Sequence, residues 1–253
     1  MRKGQFGSEN EVPVEGLKLV WEGLQSRLVI EEVYVCAGQA EEKSLRELLQ
    51  RLHDLKVRIQ FVAERVYNSL VETEASQGVV ALLKIPRFQL SQIMRDSPLL
   101  LLSHQLQDPG NLGTLIRSSE AFGVGGVLLT EKTVSTANQK AVRASAGSLF
   151  RVPVLSGLNP DRLFNELRHN GFRLVAAIPR GGVDFRKVDY RGSVVLVVGN
   201  EGSGLPQSTL DSIDLRVTVS VASPVESLNV AVATSIILAE AARQRQRGSR
   251  GRI

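Results

Sequence analysis

Three short stretches of this 253-residue chain combine residue types that can hold a substrate and stabilise charge. The first is Asn111, Gly113 and Arg117, in a polar turn that runs into an apolar helix. Asn111 has the side chain of a helix N-cap, Gly113 admits a close approach to the backbone, and Arg117 follows one to two turns later. Leu115, Ile116, Ala121 and Phe122 imply that this helix is largely buried, so Arg117 is expected to emerge into a cleft. A guanidinium stays protonated near neutrality, which suits it to holding an anion and not to acting as a base. The second stretch, Gly199 to Gly204, follows the apolar run Val194 to Val198 and carries one carboxylate, Glu201. It lacks both the dinucleotide glycine spacing and the Gly-Lys-Ser/Thr ending of a phosphate loop. A flexible turn of this kind suits a neutral or cationic ligand better than a polyphosphate. The third stretch is Ser227, Leu228 and Asn229, before a long apolar helix. Backbone groups of Val219 to Ala222 can frame a flat ring on which Leu228 packs, and Asn229 can either cap the helix or reach a ligand. Each stretch taken singly is also compatible with an ordinary turn or cap.

The elements that must position these residues fall into two groups. Residues 1–10 read as a loose polar arm, and residues 11–90 as a compact α/β module. Within it, helical spacing over Leu17–Leu24, Ser44–Leu55 and Ala63–Val71 alternates with strands over Val29–Cys36, Val57–Phe61 and Val79–Leu83. Pro86 and the polar stretch around residues 91–97 read as a linker. Residues 98–253 then carry short continuous apolar runs: Leu99–Leu102, Val127–Leu129, Leu174–Ile178, Val194–Val198 and Val217–Val221. Such runs suit parallel strands covered on both faces, with helices expected over Leu112–Phe122, Asn138–Ser145, Asp161–His169 and Leu228–Arg245. Ligands of such a sheet bind off the carboxyl ends of its strands.

The net charge of +5 and pI near 9.6 lean towards an anionic partner. Much of the excess sits in the Arg-rich tail 243–253, which reads either as a solvated helix end or as a contact for RNA phosphates. Cys36 is the only cysteine, so an intrachain disulfide or a multi-thiolate zinc site is impossible, and its apolar neighbours make it a buried small hydrophobe. His53, His104 and His169 have no i,i+4 partners, and no metal is expected. No apolar run approaches the roughly 18–20 residues of a membrane span, and the N-terminus has no apolar signal core, so a cytoplasmic location is expected.

In order and spacing the three stretches together resemble the motifs of the SpoU/TrmH-type (SPOUT) RNA ribose 2′-O-methyltransferases. Asn-x-Gly-x-x-x-Arg is matched by Asn111, Gly113 and Arg117, Gly-x-Glu-x-x-Gly by Gly199, Glu201 and Gly204, and Ser-Leu-Asn-Val by Ser227 to Val230. The resemblance implies an α/β fold with a C-terminal trefoil-knotted methyltransferase domain and a smaller N-terminal RNA-binding domain. It also implies S-adenosyl-L-methionine as cofactor, structured RNA as substrate and a homodimer whose partner supplies Asn111 or Arg117. Arg117, Asn111, Glu201, Ser227 and Asn229 become the catalytic set, with Glu201 and Asn229 holding Arg117 and the ribose. Gly199, Val219, Leu228, Val198, Gly204 and Val221 become the cofactor pocket, and Arg117, Lys140 and Arg143 the RNA contacts. Two departures stand out: members often carry Ile-Pro-Met where this chain has Val219-Ser220-Val221, and an acidic residue where it has His104, read as structural or on the rim. The N-terminal module and the Asp108-Pro109 start lean towards 23S-type ribosomal RNA over transfer RNA. A base-methylating enzyme and a non-catalytic ribosome-assembly factor of the same fold remain as alternatives.

Overall fold

A computed structural model describes residues 10–72 and 76–249; the expected arm (apart from Asn10) and the last arginines of the tail, Arg250 and Arg252, lie outside them. The chain divides into two compact units, Met1–Arg87 and Phe88–Ile253.

In the first unit, strands β1 (Glu11–Glu15), β2 (Val29–Cys36), β3 (Arg58–Val62) and β4 (Val79–Lys84) form a sheet in the order β1-β4-β2-β3. β4 runs antiparallel to both its neighbours, and β2 and β3 are parallel. Helices α1 (Leu17–Gln25), α2 (Lys43–Asp54) and α3 (Glu64–Leu70) complete the unit. Leu45, Leu48 and Leu52 are fully buried at three- and four-residue spacing, the single apolar stripe expected of a helix covering a core. β1 was not assigned from the sequence because Pro13 interrupts it. Pro is tolerated there because β1 is an edge strand, and Val12 and Val14 on either side are buried. Cys36 is buried, as read from its neighbours.

The second unit contains α4 (Leu90–Asp96), β5 (Leu99–Ser103), α5 (Pro109–Ala121), β6 (Gly126–Thr130), α6 (Gln139–Ser145), β7 (Val154–Leu158) and α7 (Pro160–His169). Then come β8 (Arg173–Ala177), β9 (Val183–Asp184), β10 (Val194–Val198), α8 (Gln207–Asp211), β11 (Leu215–Thr218) and α9 (Val230–Ser249). Seven parallel strands lie in the order β7-β6-β5-β10-β8-β11-β9. β5, β6 and β10 are buried along their whole length, which is why they read as unbroken apolar runs.

Residues 91–97 are not a linker. Leu90, Ile93 and Met94 form a helical stripe hidden in a polar sequence, and Ile93 enters the core beside Leu100, Leu128 and Phe164. The Gln89/Gln92 capping box starts that helix. β11 also ends earlier than expected, at Thr218, and α9 begins at Val230 and not at Leu228, so residues 219–229 form a loop across the carboxyl ends of the strands. Among the described residues no helix is long and apolar enough to cross a membrane.

Gly113 admits a helix and not a ligand. A Cβ there would stand 2.4 Å from the Ala141 carbonyl oxygen and 2.8 Å from the Ser145 nitrogen, so α5 and α6 touch backbone to backbone. Gly113→Ala, which in an exposed helix would gain about 1 kcal/mol, is expected here to cost about 1–3 kcal/mol through overpacking, read by chemical denaturation. A stabilised variant would show that α6 can move away freely.

Candidate active site

The carboxyl ends of β8, β10 and β11 surround a cavity of about 500 Å³. Its walls include Val198, Val219, Leu228, Ala233 and Ile237, with backbone and small polar groups from Gly199 to Gly204. Glu201 is the only charged residue among those lining it. A pocket of this size, apolar in its walls and without a lysine or arginine, fits a ring-bearing cationic or zwitterionic ligand and disfavours a polyphosphate.

The glycine-rich turn after β10 is braced, contrary to the flexible loop expected. Asn200 and Gly204 exchange two backbone hydrogen bonds of 3.0 Å. The Asn200 Oδ1 accepts from Gly202 N at 2.9 Å and Ser203 N at 3.1 Å, and its Nδ2 donates to the Gln105 carbonyl at 2.8 Å. Gly204 adopts φ +68°, a conformation that a side chain would strain. Tying the turn to the end of β5 fixes where Glu201 stands.

Glu201 accepts hydrogen bonds from Asp108 N at 2.9 Å, Gln107 N at 3.2 Å and Asn111 Nδ2 at 3.0 Å. Asn229 Nδ2 in turn donates to Asn111 Oδ1 at 2.9 Å. The same Asn229 caps α9, its Oδ1 accepting from Ala231 N at 2.9 Å and Val232 N at 3.3 Å, so it holds the helix start and the Asn111 amide at once. Burial pushes the Glu201 carboxyl up, but the bonds from Asn111, Asp108 and Gln107 outweigh it and hold the group below the usual carboxylate range. One residue from each of the three stretches thus meets in a single chain of hydrogen bonds.

Several expected placements change. Asn111 is not the N-cap of α5: Asp108 is, accepting from Asn111 N at 2.8 Å, with Pro109 at the first helical position. Lys140 bonds Asp108 Oδ2 at 2.9 Å, and this contact is the leading reason that the Asp108 carboxyl lies below its ordinary range. Arg143 is half-buried. Arg117 is exposed on α5, with its neighbours Leu115 and Ile116 buried, and makes no ion pair with Glu201: the carboxylate is taken up by Asn111 and the backbone. Ser227 and Leu228 line the cavity, whereas Val221 lies in a neighbouring one of about 610 Å³, with Pro224 and Glu226. The early end of β11 turns Val221 away. The His104 side chain is buried, which lowers its pKa, and the backbone N–H of His104 donates to the Val198 carbonyl at 2.8 Å, a structural place in the wall of the sheet.

At the level of families, residues 98–239 match the SpoU rRNA Methylase family, and residues 13–89 match the RNA 2′-O ribose methyltransferase substrate-binding domain. The chain belongs to the SpoU methylase family. A relative from Bacillus subtilis, the 23S rRNA (guanosine(2553)-2′-O)-methyltransferase RlmP, is 32% identical over 90% of this chain and 87% of its own length. Among solved structures, the SpoU methyltransferase AviRb from Streptomyces viridochromogenes with AdoMet superposes with a TM-score of 0.84 at 27% identity, covering 95% of this chain and 94% of that one. The AdoMet-bound rRNA methyltransferase from Sinorhizobium meliloti gives 0.79 at 28%, covering 92% and 87%.

Sequence reasoning passed over Asn200, which organises the SpoU-family turn, and the Asp108–Lys140 pair, which fixes the start of α5. The Asp-Pro pair was a readable signal, since Asp before a Pro at the first helical position is a common helix start. The meeting of Lys140 with Asp108 was not, because it depends on how α6 crosses α5.

Proposed function

We propose that this SpoU-family chain transfers a methyl group from S-adenosyl-L-methionine to a ribose 2′-hydroxyl of 23S-type ribosomal RNA, in the cytoplasm and as a homodimer. The observation that carries the reading is the hydrogen-bonded chain Glu201–Asn111–Asn229 at the rim of an apolar cavity without cations. The RlmP relative, matched across both units, supports ribosomal RNA as the substrate class. A trefoil knot is part of the proposal, supported by the entry of β10 between β5 and β8 and by the return of α9 onto α5.

The cofactor fits the residues present: Val198, Val219 and Leu228 would flank its adenine, Gly199 and Gly204 would offer backbone groups, and no lining side chain would repel a sulfonium. When bound, S-adenosylmethionine supplies an activated methyl group on a cationic sulfur. The chain's own work is alignment and charge stabilisation. Glu201 sets the side-chain amide of Asn111, and Asn229 holds it from the other side, so the rim is preorganised to orient the ribose. Ser227, exposed at the same rim, adds a hydroxyl. Glu201 is a weak base, with its oxygens already engaged by three donors, so the hydroxyl proton leaves to a substrate phosphate oxygen or to water.

Arg117 clamps that phosphate and stabilises the growing alkoxide. Its exposed place on α5, outside the residues that line the cavity of its own chain, supports its entering the site of a partner subunit. Exposed Val232, on the helix α9 that packs on α5, supports an apolar dimer surface.

Labelled S-adenosylmethionine incubated with unmodified ribosomal and transfer RNA tests the reading. Label in an alkali-resistant dinucleotide of 23S-type RNA is expected. Label on a base would replace it with base methylation, and failure to bind the cofactor would favour an RNA-binding assembly factor.

A further inference from the structure

Among residues that do not line the catalytic cavity, a second concave site is built from basic side chains. A cavity of about 330 Å³ lies between the segment after β9 and the last turns of α9, lined by Arg186, Lys187, Arg191 and Arg243 against the single carboxylate Asp189. Its frame is fixed. Gln244 receives the Tyr190 N–H at 2.9 Å and donates to the Val188 carbonyl at 2.9 Å. Arg245 bonds the carbonyls of Gly192 at 2.6 Å and Pro98 at 3.2 Å, the residues that lead into β10 and β5. The start of the Arg-rich tail is therefore an integral clamp and not a frayed end.

The arginines share one pattern. Arg186, Arg191 and Arg243 each turn the Nε and Nη2 edge to a carboxylate, Asp184, Asp189 and Glu240 respectively. Each has Nη1 left to offer, because a guanidinium carries five N–H donors. Exposed ion pairs of this kind add little to stability, so they steer the side chains without consuming their capacity to bind an anion. Lys187 adds a compact, exposed charge that also acts on Asp184 through space.

We propose that this cavity binds backbone phosphates of the RNA substrate beyond the methylated nucleotide. The inference rests on the ribose-methylation reading only for the identity of the polyanion. The Arg191 end of the cavity lies just before β10, whose five residues span roughly 16 Å to the catalytic rim. A span of that order is several nucleotides of one RNA strand. One folded RNA can bridge it.

Lys187→Gln combined with Arg191→Gln tests the site. Both side chains are exposed, and the Asp189 left behind is itself half-exposed, so the fold is expected to survive; melting and cofactor titration check this. Lys187→Gln alone serves if the double variant does not fold. The probe is a labelled ribosomal RNA hairpin titrated over a range of salt concentrations. Loss of two phosphate contacts is expected to flatten the slope of log K against log salt by about 1.4–1.8, and with methylatable RNA to raise KM while leaving kcat unchanged. An unchanged slope overturns the site, whatever the activity. If the wild type binds the hairpin but transfers no methyl group, the proposed reaction fails and the slope still decides this cavity.

Discussion

Arg117→Ala is expected to lower turnover by roughly 10²- to 10³-fold, the usual loss on removing a positioned group that stabilises developing charge, while S-adenosylmethionine affinity stays within a few-fold. The two readouts separate because Arg117 is not among the residues lining the cofactor cavity. Leu112, Leu115 and Ile116 anchor α5 in the core, so truncating the exposed side chain that follows them leaves the helix in place. Equal loss of turnover and cofactor binding would remove Arg117 from the chemistry. A mixing experiment adds its geometry. Asn111 is tied to Glu201 and Asn229 within one chain, so of the two residues expected from a partner only Arg117 is available. Arg117→Ala and Glu201→Gln proteins, each strongly impaired, are then expected to regain activity when their subunits exchange. Each mixed dimer holds one site with an intact Glu201 and the partner's intact arginine. No recovery despite exchange would place Arg117 in the site of its own chain.

What the sequence disclosed and what it hid divide along a physical line. Buried parallel strands such as β5 and β10 were legible because both faces demand apolar residues, and α2 because its leucines keep one stripe. α4 was hidden because three apolar residues in a polar stretch look like a linker until a core is there to receive Ile93. β7 was hidden by Ser156 and Gly157 near the end of an edge strand that is only partly buried. In the site, residue types and order sufficed to bring Asn111, Glu201 and Asn229 forward. Their pairing was not legible. The carboxylate was expected to hold a cation, yet it holds an amide and two backbone N–H groups, because the braced turn at Asn200 sets it against the start of α5. Gly113 was rightly read as a point of close approach, but the approaching group is the backbone of α6. Local chemistry is written in local sequence, whereas partner choice is a product of how the elements cross.

Glu201→Gln should lower turnover by roughly 10²-fold, although Glu201 abstracts no proton in the proposed reaction. The Glu201 Oε1 accepts from Asp108 N and Asn111 Nδ2, and its Oε2 accepts from Gln107 N. A glutamine that keeps its oxygen on the first two turns its NH₂ against the Gln107 N–H, and the reverse turn opposes Asp108 N and the Asn111 amide. Either way the group that sets Asn111 is displaced and uncharged, and Asn229 loses a firmly held partner. Because Glu201 is exposed, the stability cost is small, about 1 kcal/mol, so kinetics and not folding carry the test. The pH dependence supplies the sign. Glu201 titrates below its ordinary range in the folded chain, so its stabilising contribution is fully present above the unfolded value of about 4.3 and is lost as pH falls through the folded value. The stability gap between wild type and Glu201→Gln is therefore expected at neutral pH and should close on acidification below that range. A gap that persists unchanged in acid would mean that the charge of Glu201 does not hold the rim, and full turnover in the variant would dismiss the Glu201–Asn111–Asn229 chain as the device that orients the ribose.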